Sequence, residues 1–135
     1  MKKSLSLVMV AALSLTLATS SALADTGRHS SSVGFTTTES TDNVEGLNQN
    51  GTVKVELDDN GYTNDRAEVF VYRWCPGEVS ETLEHTITAY NNNYERIVEK
   101  NIYMKQNCSY RAVNIPTYSN QGNTSGRITL QNWVW

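Results

Sequence analysis

The sequence predicts an all-β domain, a small two-sheet β-sandwich held by one disulfide. Three observations predict it. Short runs of β-branched and aromatic residues recur at near-regular intervals with Asn, Gly, Asp or Pro between them. Several runs alternate apolar and polar residues with the period of two that a half-buried strand requires. The only two cysteines, Cys75 and Cys108, stand in a chain that begins with an export signal, where thiols oxidise and stay oxidised.

Residues 1–24 read as that signal. Lys2 and Lys3 form a positive head, residues 5–17 an apolar run, and Ala22-Leu23-Ala24 an exit with small side chains at the positions signal peptidase must accommodate. Cleavage after Ala24 is expected, with the mature protein starting at Asp25. The apolar run is shorter than the roughly 20 residues that span a hydrocarbon core, so no membrane span is expected after signal removal. The expected location is secreted: extracellular, or periplasmic if the host has an outer membrane.

Removing the signal leaves 135 − 24 = 111 residues, enough for one domain. Nine basic residues then face fourteen acidic ones, and the formal charge moves from −3 to −5. Apart from Arg28, the basic residues are scattered between Lys54 and Arg127 rather than gathered in a stripe, which argues against nucleic acid as a partner.

Residues 25–50 are polar and poor in large apolar side chains, with Phe35, Val44 and Leu47 as their sizeable anchors. They read as a partly flexible N-terminal segment, carrying a flexible leader over 25–32 and a short edge strand around 34–39. The sandwich itself is expected over 51–135, with order beginning at Thr52, where Val53, Val55 and Leu57 alternate with Lys54, Glu56 and Asp58. Residues 58–65 break that strand, and Asn60-Gly61 predicts a hairpin turn. Residues 67–75 carry β-branched and aromatic side chains on both faces, which predicts a central strand covered on two sides, with Tyr72 and Trp74 in the core along with Tyr103.

Residues 82–90 alternate again, placing Leu83, His85, Ile87 and Ala89 on one face, and Asn91-Asn92-Asn93 supplies turn chemistry. Residues 94–106 fit both periods. Asn92 with Glu95 has the spacing of a helix-capping box, but Glu95/Glu99 and Arg96/Lys100 would be like-charge pairs one turn apart in a helix, so a strand is preferred. Residues 110–115 and 126–135 complete the strands, with a loop over 118–125 between them. Residues 86–90 with the Asn-rich turn resemble hairpins of bacterial extracellular immunoglobulin-like modules, which implies a sandwich immunoglobulin-like in general architecture.

A disulfide between Cys75 and Cys108 would close a loop of about 34 residues, worth roughly 3 to 4 kcal/mol, by tying the sheets or pinning a loop. No metal site or cofactor is expected. Glu56, Asp58, Asn60 and Gly61 partly follow a calcium-loop spacing, but Ala67 stands where the bidentate Glu belongs, so the segment reads as a plain loop rather than a cation site on Asp58, Asn60 and Asp65. His29 and His85 are the only histidines. Neither has a sequence neighbour that would complete a catalytic set, and a structural His85 is preferred over a hydrolase using His85 with Glu68 or Glu84.

The mature part is rich in aromatics with a polar tip, seven Tyr and three Trp against two Phe. Such side chains suit surfaces that meet a partner and also face water. Tyr90, Tyr94 and Tyr118 beside Asn-rich turns, and Trp133 and Trp135 near the C-terminus, are therefore the candidate binding residues. The function expected is non-catalytic binding of an extracellular protein or glycan surface, and no enzyme. The alternative is a secreted effector, either an antimicrobial protein or an inhibitor of a secreted enzyme.

Overall fold

The computed structural model describes residues 27–59, 65–92, 94–116, 118–119 and 122–134. The signal, the Asn60-Gly61 turn and Trp135 lie outside the described residues. In chain order the strands are β1 Ser30–Phe35, β2 Val44–Glu45, β3 Gln49–Leu57, β4 Arg66–Trp74, β5 Thr82–Tyr90, β6 Ile97–Met104, β7 Ser109–Pro116, β8 Tyr118–Ser119, β9 Gly122–Asn123 and β10 Gly126–Gln131. They form two antiparallel four-stranded sheets, sheet I in the order β1-β10-β3-β6 and sheet II in the order β2-β7-β4-β5, with β8 and β9 paired apart from both. This is the two-sheet sandwich the sequence predicts. No helix among the described residues is long and apolar enough to cross a membrane.

Alternation along the strands builds the core. Val53, Val55 and Leu57 of β3, Ile102 and Met104 of β6, and Ile128 and Leu130 of β10 point inward from sheet I. From sheet II they meet Ala67, Val69 and Val71 of β4, Ile87 and Ala89 of β5, and Tyr110 and Ala112 of β7. Each Val, Leu, Ile or Met side chain among them, taken fully out of water, contributes about 1.5–3 kcal/mol.

The connections depart from expectation. The hairpins expected over 58–65 and after 82–90 are crossings between the sheets, because β3 and β6 belong to sheet I while β4 and β5 belong to sheet II. Within the two large sheets, only β4 and β5 are consecutive strands that pair with each other. The capping-box residues still bond as their spacing suggests, without a helix: Asn92 Oδ1 accepts from the backbone N–H groups of Tyr94 and Glu95, and its Nδ2 donates to Glu95 Oε2 at 2.8 Å. The preferred strand is present as β6.

Order also starts well before Thr52. The segment expected to be a flexible leader and short edge strand supplies β1, which pairs with β10 from Ser30↔Gln131 to Phe35↔Gly126, and β2, which pairs with β7. Phe35 and Val44 anchor it in the core. Buried amides do the rest, a device that hydropathy does not reveal. Asn132 is fully buried, donates to the Gly27 and Glu45 carbonyls at 2.8 and 2.7 Å, and accepts from the His29 N–H at 2.9 Å. Asn114 likewise accepts from Glu39 N–H and donates to Thr37 O. A low-hydrophobicity segment is ordered here because its backbone groups find partners inside the protein.

Trp74 and Tyr103 are not core, being 42% and 56% exposed, and Tyr72 is half-buried. Among the described residues β4 is covered on one face only, the face that carries Ala67, Val69 and Val71. Leu83 also leaves the face assigned to it. Val71 opposes His85 but Tyr72 opposes Leu83, so Glu84 is an extra residue that reverses the side-chain direction beyond it. The disulfide joins Cys75, just after β4, to Cys108, just before β7, with a Cα separation of 4.2 Å. It therefore pins the ends of neighbouring strands in sheet II and does not tie sheet to sheet.

Candidate functional site

The outer face of sheet II is where the molecule departs from a simple solvated sandwich. Cross-strand register lays its side chains out in rows: Arg111, Tyr72 and Leu83; Val113, Phe70 and Thr86; Ile115, Glu68 and Thr88. Trp74 ends the series on β4 beside Ser109, and Tyr90 stands opposite Arg66 at the other end. Leu83 and Ile115 are each 48% exposed. Aromatic and aliphatic groups thus run across three strands with no third layer of the described residues over them. Patches of this kind mark interaction surfaces.

Two arginines on and beside this face are matched to carboxylates, while Glu68 in the third row and Arg66 near it make no ion pair among the described residues. Arg111 grips Glu81 through both carboxylate oxygens, at 2.6 and 2.5 Å, and lies 5.3 Å from the centre of the Tyr72 ring. The hydrogen bond from Arg111 holds the Glu81 carboxyl below the ordinary carboxylate range, and the same contact raises Arg111. Arg73 divides itself between Glu78 and Glu84, each at 2.7 Å. With their guanidinium groups engaged, these arginines offer little to an anionic ligand.

At the β2 end of the face lies a groove. One part, of about 470 Å³, is bordered by Arg28, His29, Asn43 and Glu45, and a second part, of about 300 Å³, by Trp74, Pro76 and Asn107. Glu45 and Ser109 line both parts, so the two hollows adjoin. The Trp74 indole is held on the wall of the second part by donating Nε1–H to Glu78 O at 3.1 Å.

The residues singled out from the sequence are dispersed. Tyr90 borders the outer face of sheet II, and Tyr94 is 93% exposed on the β5–β6 crossing. Tyr118 stands in β8, with its ring outside the described residues. Trp133 packs elsewhere: its carbonyl accepts from Thr52 and Gln131, and Arg28 sits 6.0 Å above its ring. Phe70, Tyr72, Leu83 and Ile115 were not among the expected site residues. The signal that could have found them was the aromatic row at Phe70, Tyr72 and Trp74, every second residue, opposite a row of small residues at Ala67, Val69 and Val71.

His85 is half-buried and its imidazole is pushed below its ordinary value, first by burial and then by Lys100, with Glu84 opposing. Among the described residues it makes no side-chain hydrogen bond to a carboxylate or hydroxyl. The suggested cation loop lies partly outside the described residues. Of its flank, Asp58 accepts from Ser125 Oγ at 2.8 Å, and the neighbouring Asp59 pairs with Arg96 at 2.7 Å. No group of three or more metal-ligating side chains occurs among the described residues.

Comparisons with protein-family models, curated proteins and solved structures give no match to the chain. The functional reading therefore rests on the two faces, the groove and the chemistry they present.

Proposed function

We propose that the chain is a secreted, non-catalytic binding protein that docks another extracellular protein on the outer face of sheet II. The observation that carries this reading is the set of apolar rows led by Phe70, Tyr72, Leu83, Val113 and Ile115, left open on a sheet whose inner face already forms the core. Leaving such a surface in water is unfavourable, and covering it with an apolar partner recovers about 25 cal/mol per Å². The pairing of Arg73 and Arg111 with carboxylates favours a partner that sets no strong negative charge against them. The signal-like start and the disulfide fit an extracellular setting.

The test is retention of labelled mature protein on intact bacterial cells, with and without protease shaving of the cells. Leu83→Asp and Ile115→Asp change half-exposed positions and should leave stability within about 1 kcal/mol. They should lower retention at least about tenfold, about 1.4 kcal/mol, and shaving should lower retention of the wild type. Equal retention of variants and wild type would overturn the assignment of the face.

A further inference from the structure

We infer that the groove beside β2 binds a neutral oligosaccharide, with the Trp74 ring as stacking platform and Glu45, Asn43, Asn107 and Ser109 as hydrogen-bonding partners. Sugar rings present apolar C–H patches next to hydroxyls that both donate and accept. The groove presents the matching set. Trp74 and Pro76 supply the apolar surface, the two amides and the Ser109 hydroxyl both donate and accept, and the Glu45 carboxylate accepts. Among the described residues none of these four polar side chains is engaged by another side chain or by backbone, in contrast to the paired arginines on the neighbouring face.

Charge and backbone chemistry select among ligand classes. Glu45, in the middle of the groove, disfavours a polyanion, while Arg28 at one end disfavours a polycation. A peptide adding itself as a strand needs free backbone groups, and two of those in β2 and its flank are already engaged. The Glu45 carbonyl takes Asn132 Nδ2–H, and Gly46 N–H donates to Cys108 O at 2.8 Å. An uncharged polyhydroxylated ligand remains the chemistry that fits.

The walls are fixed before any ligand arrives, which lowers the entropic cost of binding. Trp74 is held by Glu78 O, and the Glu78 carboxylate is itself fixed by Cys75 N–H at 2.8 Å and Arg73 at 2.7 Å. The disulfide then fastens Cys75 to Cys108, next to Asn107. Below them the backbone is in close contact, since a Cβ on Gly46 would lie 2.1 Å from Lys105 O.

The experiment is a titration of the mature, disulfide-bonded protein with chitotetraose, cellotetraose and maltotetraose, followed by tryptophan fluorescence and calorimetry, with an acidic tetragalacturonate as control. At least one neutral sugar should bind at millimolar concentration or tighter. Asn107 has a φ of +63°, which Gly adopts without strain, so Asn107→Gly removes the amide and keeps the backbone. That variant should bind several-fold more weakly at an unchanged melting temperature. Trp74→Ala should lose about tenfold or more, and Glu45→Gln should fall between them. Failure of all three neutral sugars, preference for the acidic one, or binding indifferent to Trp74 and Asn107 would each overturn the inference. The Leu83 and Ile115 variants lie outside the groove and should bind sugar normally, so a failed groove and a failed protein-docking face give different results.

Discussion

The two sheets share an inner chemistry and differ on the outside. On sheet I the outer rows are polar: Ser32, Thr129, Lys54 and Glu99 follow one another across four strands, then Gly34, Arg127, Glu56 and Ile97. Ser32 and Thr129 hydroxyls bond at 3.1 Å, Lys54 pairs with Glu56 at 2.8 Å, and Thr52 donates to Asn101 at 3.2 Å. Tyr103 and Ile97 are apolar exceptions confined to the edge strand β6. An antiparallel sheet with one wet face has this appearance. On sheet II the corresponding rows are aromatic and aliphatic, and Arg73 and Arg111 at their margin are matched to carboxylates. Folding explains the inner faces of both sheets and the outer face of sheet I. It does not call for the outer face of sheet II, which makes that face the place to look for a partner.

The largest effect that sharpens this contrast is removal of the disulfide. Replacing Cys75 and Cys108 by Ser should cost roughly 3 to 4 kcal/mol in chemical denaturation. Hydrogen exchange should then quicken at the joined ends of β4 and β7 and much less in the β1–β10 pair. Uniform loosening of both sheets would mean that the staple serves the whole sandwich and not the end of sheet II.

Next comes Asn132, the counterpart on the sheet I side. Asn132→Ala leaves the His29 N–H and the Gly27 and Glu45 carbonyls without their buried partner, and should cost about 2–3 kcal/mol. The loss should be greatest for the segment holding β1 and β2, read as faster exchange and earlier proteolysis there. If that segment stayed protected, Phe35 and Val44 alone would account for its order.

These two sites also separate what was legible in the sequence from what was not. The strands over 52–57, 82–90 and 110–115 and the strand at 94–106 follow from period and charge spacing, and the cysteine pair follows from its number and setting. Three features escape a local reading. The order of the N-terminal segment depends on amides at Asn114 and Asn132, far along the chain. The reversal of Leu83 depends on one extra residue, Glu84, whose place is set by pairing with β4. The exposure of Trp74 depends on whether anything lies above β4, which is a property of the whole fold. Period alone cannot tell an outer face covered by another layer from one left open.

A smaller effect concerns pH. His85 lies on the inner side of β5, and its imidazole titrates below its ordinary 6.5, chiefly because burial disfavours the charged form. The unfolded chain thus takes up a proton at higher pH than the fold does. The contribution of His85 is fully present above pH 6.5 and declines as pH falls toward the folded value. His85→Asn should flatten the dependence of stability on pH below 6.5. A slope just below pH 6.5 that survives the change would rule out His85 as its source, since Glu81, held below its ordinary 4.5, loses its contribution only at lower pH.

The most direct test of the contrast is hydroxyl-radical footprinting of the mature protein, free and bound to bacterial cell envelopes. Oxidation of Phe70, Tyr72, Leu83 and Ile115 should fall on binding while Tyr103 and Ile97, on the outside of sheet I, react as before. Protection of Tyr103 and Ile97 with unchanged reactivity on sheet II would overturn the contrast.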